Sequence, residues 1–314
     1  MSYEVITIGR LGIDLYPLES NVQLGSVTKF GRFLGGSAAN VAVAAARHGR
    51  KVALISRTGA DDFGRFLREE LERLGVDNEF VTAVEHLPTP ITFCEIHPPD
   101  HFPITFYRQP KAPDLEIHPD ELDRDAIRAV DLFWLTTTGL SAEPSRSAHI
   151  EALGVRDGSG ITILDLDYRE QFWPHPAEAR SAIAEVLPRV DVVVGNLAEC
   201  EVAVGETDPK GAAEALLGRG PGTAIVKMGP DGVMGVDEAG SVTVPPVEVE
   251  VVNGLGAGDA FGGALCHGLL SGWPLSQTLE FANTAGAIVA GRLECSTAMP
   301  HTGEVLAAMP RRLT

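Results

Sequence analysis

In NGLGAGDAFGGALCHGLLSG, Asn253 to Gly272, three glycines at alternate positions lead into an acidic residue and then a helical pattern. Gly256, Ala257 and Gly258 are small enough to let backbone N–H groups at a helix start approach an anion closely, and the helix dipole adds partial positive charge there. Asp259 follows directly, where a carboxylate could accept the proton of a hydroxyl attacking a phosphoryl group. A glycine-rich turn whose Asp merely caps the helix would be written the same way. Two commoner phosphate motifs are excluded: in G-x-G-x-x-G the last Gly falls on Asp259 or Phe261, and G-x-x-x-x-G-K-[ST] fails because the chain has no Gly-Lys pair.

Other stretches could supply the remaining chemistry. FLGGSAANVAVAAARHG sets Gly35 and Gly36 before a helix of small residues with Asn40 in its first turn, which would suit close approach to a polyhydroxy ligand; tight helix packing explains the alanines equally well. GNLAECE puts Asn196 and Glu199 three apart at a strand end, offering oxygen ligands of the kind Mg²⁺ takes alongside substrate phosphates. A helix-capping Asn with a first-turn Glu is the competing account. DLDYRE follows the apolar run GITIL, so Asp165 and Asp167 project to one side at a strand's carboxyl end. Substrate contact, a D-x-D metal site and solvated strand-end acids are all open there. His97 and His101 are four apart, but Pro98 and Pro99 between them forbid the helix that would align them on a metal, so a loop is expected.

These residues need a scaffold, and short apolar runs alternating with helical patterns supply one. VITI, VALIS, DLFWLTT, GITILDLD, DVVVGN and TAIVKMG each adjoin a helical stretch, which predicts βαβ units and a doubly wound, mostly parallel α/β sheet. Residues 11–35 and 88–110 break the rhythm: TPITFCEIHPP and FPITFYRQP are β-rich and punctuated by proline. They predict a small inserted β-sheet, a lid over a crevice at the strand ends, within a single domain spanning 1–314.

Composition narrows the partners. The 314 residues are 44% hydrophobic and 22% charged, ordinary for a globular chain, while a net charge of −18 disfavours nucleic acid and anionic membrane surfaces. Cys94, Cys200, Cys266 and Cys295 form no C-x-x-C pair and read as buried free thiols. The N-terminus lacks a basic region before a long apolar stretch, and no 18-residue apolar run occurs, so a cytoplasmic location is expected.

Together GGSAAN, GNLAE and GAGDAFGGAL, in that order and spacing, resemble the signatures of the ribokinase-like (PfkB) sugar kinases over nearly the whole chain. The resemblance implies an α/β core with a small β lid, and ATP with Mg²⁺. It makes Asp259 the base and Gly256, Ala257 and Gly258 the anion hole. It assigns Asn196 and Glu199 to the Mg-linked motif and KMGPDG, with Lys227, Gly229 and Gly232, to the nucleotide side. Asp14, Gly36 and Asn40 match sugar contacts. One departure concerns potassium: the last signature usually begins with an Asp that belongs, in many relatives, to a monovalent-cation site, and here the residue is Asn253. The cation requirement is therefore left open, as is a homodimer through the lid.

Within the family, GRLGIDLYP, PTPITFCEIHPPDHFPITFYRQPKAPDL and RLECSTAMP resemble kinases of myo-inositol breakdown, whose acceptor is a six-carbon keto acid phosphorylated at O6. A carboxylate needs a cation, and Arg108 on the lid and Arg169 after DLDY are the expected partners, with Asp165 reaching substrate hydroxyls and Lys111 a weaker third cation. Surface ion pairs are the plainer account of such arginines. Another sugar acid such as 2-keto-3-deoxygluconate is the nearest rival acceptor. Fructose, ribose or a nucleoside would leave two lid-side cations unexplained. A non-catalytic sugar-binding protein on a kinase scaffold is the alternative of another class.

Overall fold

A computed structural model describes residues 2–309. In chain order the first strands are β1 (Val5–Ile8), β2 (Gly12–Pro17), β3 (Phe30–Gly35), β4 (Val52–Gly59), β5 (Val76–Asp77), β6 (Val81–Val84), β7 (Ile91–Cys94) and β8 (Ile104–Tyr107). They are followed by β9 (Leu132–Thr136), β10 (Ile161–Asp165), β11 (Val192–Asn196), β12 (Thr223–Lys227), β13 (Val233–Asp237) and β14 (Gly240–Val244). Ten form the main sheet in the order β14-β13-β12-β11-β10-β9-β1-β4-β5, with β6 against β4. Every pairing from β12 to β5 is parallel, and at the other edge β13 pairs antiparallel with both β12 and β14.

The apolar runs are continuous because both faces of this sheet are covered. Alternation along each strand feeds two separate cores. Leu132 and Trp134 of β9 and Val192 and Val194 of β11 enter one; Phe133, Leu135 and Val193 enter the other. Helices α1 (Ser37–Arg47), α3 (Ala257–Leu270) and α4 (Leu275–Ala290) cover the first face, and α2 (Leu197–Val204) lies on the second.

The small residues of α1 and α3 let these two helices touch. A Cβ on Gly263 would fall 2.6 Å from the Ala45 nitrogen, and one on Gly262 would fall 2.8 Å from the Trp134 ring. Overpacking of that sort costs roughly 1–3 kcal/mol. The alanine run is thus explained by packing, and the contact fixes the starts of both helices side by side, which brings Asn40 to Asp259.

Residues 11–35 and 88–110 contribute β2, β3, β7 and β8, which form a separate four-stranded sheet in the order β3-β2-β7-β8. At the expected loop His97 and His101 flank a turn and exchange backbone hydrogen bonds of 3.0 and 3.1 Å. Pro98 and Pro99 are compatible with a turn of this kind although they exclude a helix.

Candidate active site

The carboxyl ends of the parallel strands carry the chemistry-bearing side chains, as an open α/β sheet requires. Asp165 ends β10, Asn196 ends β11 and Lys227 ends β12, while Arg10 follows β1. Opposite them stands the first turn of α3. Its N-cap, Gly256, has φ +82°, and a Cβ there would fall 2.5 Å from Cys295 Sγ, so this residue must be glycine.

Asp259 projects from that first turn and accepts a 2.8 Å hydrogen bond from Asn40 Nδ2 of α1. Burial pushes its carboxyl up to about 6, against the pull of the Asn40 bond. The group is ionised at neutral pH yet close enough to its pKa to exchange a proton, as a general base requires.

Asp259, Gly256, Gly36, Asn40, Asp14 and Arg169 line one cavity, narrow at about 60 Å³. The small sheet forms its far wall by strand alternation. Asp14 and Tyr16 of β2, Thr92 and Cys94 of β7, and Ile104 and Phe106 of β8 point inward, with Asp14 opposite Thr92 and Thr92 opposite Phe106 in register. Tyr16 Oη donates to Asp14 Oδ2 at 2.9 Å and lies 2.7 Å from Cys295 Sγ. Burial pushes the Asp14 carboxyl up to about 6, opposed by the Tyr16 bond, the Arg10 charge and a Thr92 bond.

A second, larger cavity of about 700 Å³ adjoins the other side of the same helix start. Ala257, Gly258, Lys227, Gly229 and Gly232 line it, and Val247, Val249, Val251, Ala287 and Ala290 give it an apolar wall. Gly229 and Gly232 make the turn between β12 and β13, both at positive φ. Burial disfavours the Lys227 charge, but Asp165, Glu199, Asp259 and Asp167 outweigh it and leave its ammonium raised. A fixed cation beside the helix start suits an anion spanning the two cavities.

Not every expected residue reaches these cavities as foreseen. Arg108 is turned away from the narrow cavity: its Nη2 donates to Asp114 at 2.7 Å, its guanidinium stacks 4.8 Å from the Phe172 ring centre, and the pair is almost wholly buried. Asp165 is also a correction. It is buried among Lys227, Asp167, Glu199 and Asp259 rather than lining the acceptor cavity, and burial with its acidic neighbours pushes its carboxyl up despite Lys227. Lys111 pairs with Glu116 and the Glu143 carbonyl.

Asp167 lies beyond β10 at φ +23° and accepts a hydrogen bond from Arg10, with Arg169 2.8 Å away on its other oxygen. Although burial disfavours its charge, Arg10 and Arg169 hold its carboxyl well below the usual range. Arg10 and Tyr16 therefore join the site, and both lie in GRLGIDLYP, a stretch whose local pattern gives no reason to single either out.

Asn196 and Glu199 form a capping box at the start of α2: Asn196 Oδ1 accepts from the Glu199 N–H at 2.9 Å, and Glu199 Oε2 accepts from the Asn196 N–H at 2.7 Å. Among the described residues no group of three or more His, Cys, Asp or Glu is placed to hold a metal. An Mg²⁺ carried by phosphates and water needs only one or two protein oxygens, and buried Glu199, one oxygen of which lies outside the box, fits that demand. Asn253, where the family signature usually has Asp, is held by two hydrogen bonds: its Nδ2 donates to the Leu293 carbonyl at 2.7 Å and its Oδ1 accepts from the Leu255 N–H at 3.0 Å.

Residues 3–302 match the family model described as pfkB family carbohydrate kinase. The chain belongs to that family and is a carbohydrate kinase. Two curated relatives share the name 5-dehydro-2-deoxygluconokinase. The one from Clostridium tetani is 33% identical over 310 residues, with 96% of this chain and 91% of the relative covered. The one from Clostridium botulinum strain Eklund 17B is 30% identical over 311 residues with the same coverage. Among solved structures, a putative ribokinase II from E. coli in complex with ATP and Mg²⁺ aligns with a TM-score of 0.88 at 22% identity, covering 98% of this chain and 99% of that one. No helix among the described residues is long and apolar enough to cross a membrane.

Proposed function

We propose that the protein transfers the γ-phosphoryl group of ATP, carried with Mg²⁺, to O6 of 5-dehydro-2-deoxy-D-gluconate. The observation that carries this reading is the first turn of α3: Asp259 and Gly256 line the narrow cavity, while Ala257 and Gly258 line the large one. An acceptor hydroxyl beside Asp259 and a triphosphate reaching from the large cavity would meet at the N–H groups of that turn. Asp259 would take the hydroxyl proton, and the N–H groups with Lys227 would stabilise charge on the phosphoryl oxygens. Asp14, Asn40 and Gly36 would bind acceptor hydroxyls, with Gly229 and Gly232 on the nucleotide side. When bound, Mg²⁺ would neutralise phosphate charge, held through Glu199 and Asn196 by direct or water-mediated contact.

The narrow cavity is far below the 300–1,000 Å³ usual for ligand sites, so the four-stranded sheet would act as a lid that swings out to admit a six-carbon acceptor. The named relatives support a keto-acid acceptor, and Arg169 in the cavity is suited to its charge. A 2-keto-3-deoxy sugar acid remains the second reading, since it presents the same carboxylate. A non-catalytic binding role leaves the perturbed, Asn40-held Asp259 without a purpose.

A coupled assay of ADP release across 5-dehydro-2-deoxy-D-gluconate, 2-keto-3-deoxygluconate, fructose, ribose and nucleosides tests the reading. The highest kcat/KM is expected on the first. Faster turnover of a neutral sugar or nucleoside would overturn the acid assignment, and no ADP release with any acceptor would favour the binding role.

A further inference from the structure

We propose that Arg10 is the residue that selects an acceptor bearing a carboxylate; this rests on the acid-sugar reading above and names the group that would enforce it. Arg10 lines the narrow cavity and is 6% exposed. Its guanidinium is fixed along two edges: Nε donates to Thr138 Oγ1 at 3.2 Å, and Nη2 donates to Ser37 Oγ at 2.9 Å and to Asp167 Oδ2 at 2.7 Å. Phe172 and Phe106 flank the plane, their ring centres 5.6 and 5.9 Å from the guanidinium carbon. Nη1 is left over for a ligand. Three contacts from three separate segments therefore aim a planar donor that cannot lose its proton.

A second guanidinium with an unfilled donor points the same way. Arg10 and Arg169 share a single carboxylate, Asp167, which is also satisfied by the Ser37 hydroxyl at 2.6 Å. Arg169 Nε is buried without a partner. The cavity's other acids accept from neutral donors, Asp14 from Tyr16 and Asp259 from Asn40, and leave these two guanidinium groups untouched. A ligand carboxylate bridging Nη1 of Arg10 and Nε of Arg169 would accept from both vacant donors at once through charge-assisted hydrogen bonds, which are stronger than those to a neutral hydroxyl. Arg108, already neutralised by Asp114, has no such vacancy. Asp167 is then a positioning residue that keeps two like charges side by side.

The test compares 5-dehydro-2-deoxy-D-gluconate with its neutral analogue, reduced to the alcohol at C1, on wild type, Arg10→Lys and Arg10→Met. Arg10→Lys keeps a charge for Asp167 but loses the planar fork. For both variants the ratio of kcat/KM on the acid to kcat/KM on the neutral analogue is expected to fall about ten- to a hundredfold. If Arg10→Met fails to fold, Arg10→Lys decides. If wild type prefers the acid and the folded variants keep that preference, Arg10 is not the selector although the acid reading survives. If wild type treats acid and neutral analogue alike, the acid reading itself falls. Parallel loss on both acceptors, or failure of both variants to fold, would make Arg10 a structural residue and overturn the inference.

Discussion

The carboxylates of the narrow cavity owe their chemistry to burial more than to any single partner. Asp259 and Asp14 are both pushed up to about 6 by desolvation, and the hydrogen bonds from Asn40, Tyr16 and Thr92 only partly offset it. A base must be ionised to accept a proton, so activity is lost as pH falls through the raised pKa. The expected kcat/KM rises between pH 5 and pH 7 with a midpoint near 6, and its slope lies between one and two protons because two groups titrate together. A flat profile across that range would detach Asp259 from the rate. Asp259 and Asn40 could be singled out in the sequence because each sits in a local pattern of small residues at a helix start, and the fold brings the two together. Arg10 could not be, because its meaning depends on Asp167, 157 residues further along. The pairing of Arg108 with Asp114 was not foreseen although the two are only six residues apart, since nothing local says which nearby acid an arginine will choose.

At the scale of elements, two short pieces hold the walls of the site. Arg108, just beyond β8, ties the small sheet to the segment carrying Asp114, and both side chains are out of water. Arg108→Met would leave Asp114 buried without its counter-charge, at a cost of about 3–5 kcal/mol. Urea unfolding should register that loss, while the ratio of kcat/KM between acid and neutral acceptors stays within about threefold of wild type. A selective loss on the acid would instead return Arg108 to the substrate. The α2 start permits a complementary separation of roles. Gln can replace Glu in a capping box, so Glu199→Gln should change stability by less than about 1 kcal/mol while raising the Mg²⁺ concentration needed for half activity. Unchanged Mg²⁺ dependence would leave Glu199 with only its cap. The strands themselves were readable from apolar runs bounded by turns. The antiparallel edge β13–β14 was not, because its alternation is weak and Gly235 and Gly240 dilute it.

Across the whole molecule, a chain with a net charge of −18 gathers Arg10, Arg169 and Lys227 at the ends of its parallel strands. Its two cavities lie on either side of the head of α3, so the head of one helix would separate nucleotide from acceptor. The central claim is that Asp259 accepts the proton of the hydroxyl being phosphorylated. The most direct measurement is phosphoryl transfer and ATP binding by Asp259→Asn, which keeps the shape of the side chain and removes its basicity. Turnover is expected to fall about 10²- to 10⁴-fold, with the Kd for ATP within about threefold of wild type. Near-wild-type turnover in a preparation free of native enzyme would contradict the account.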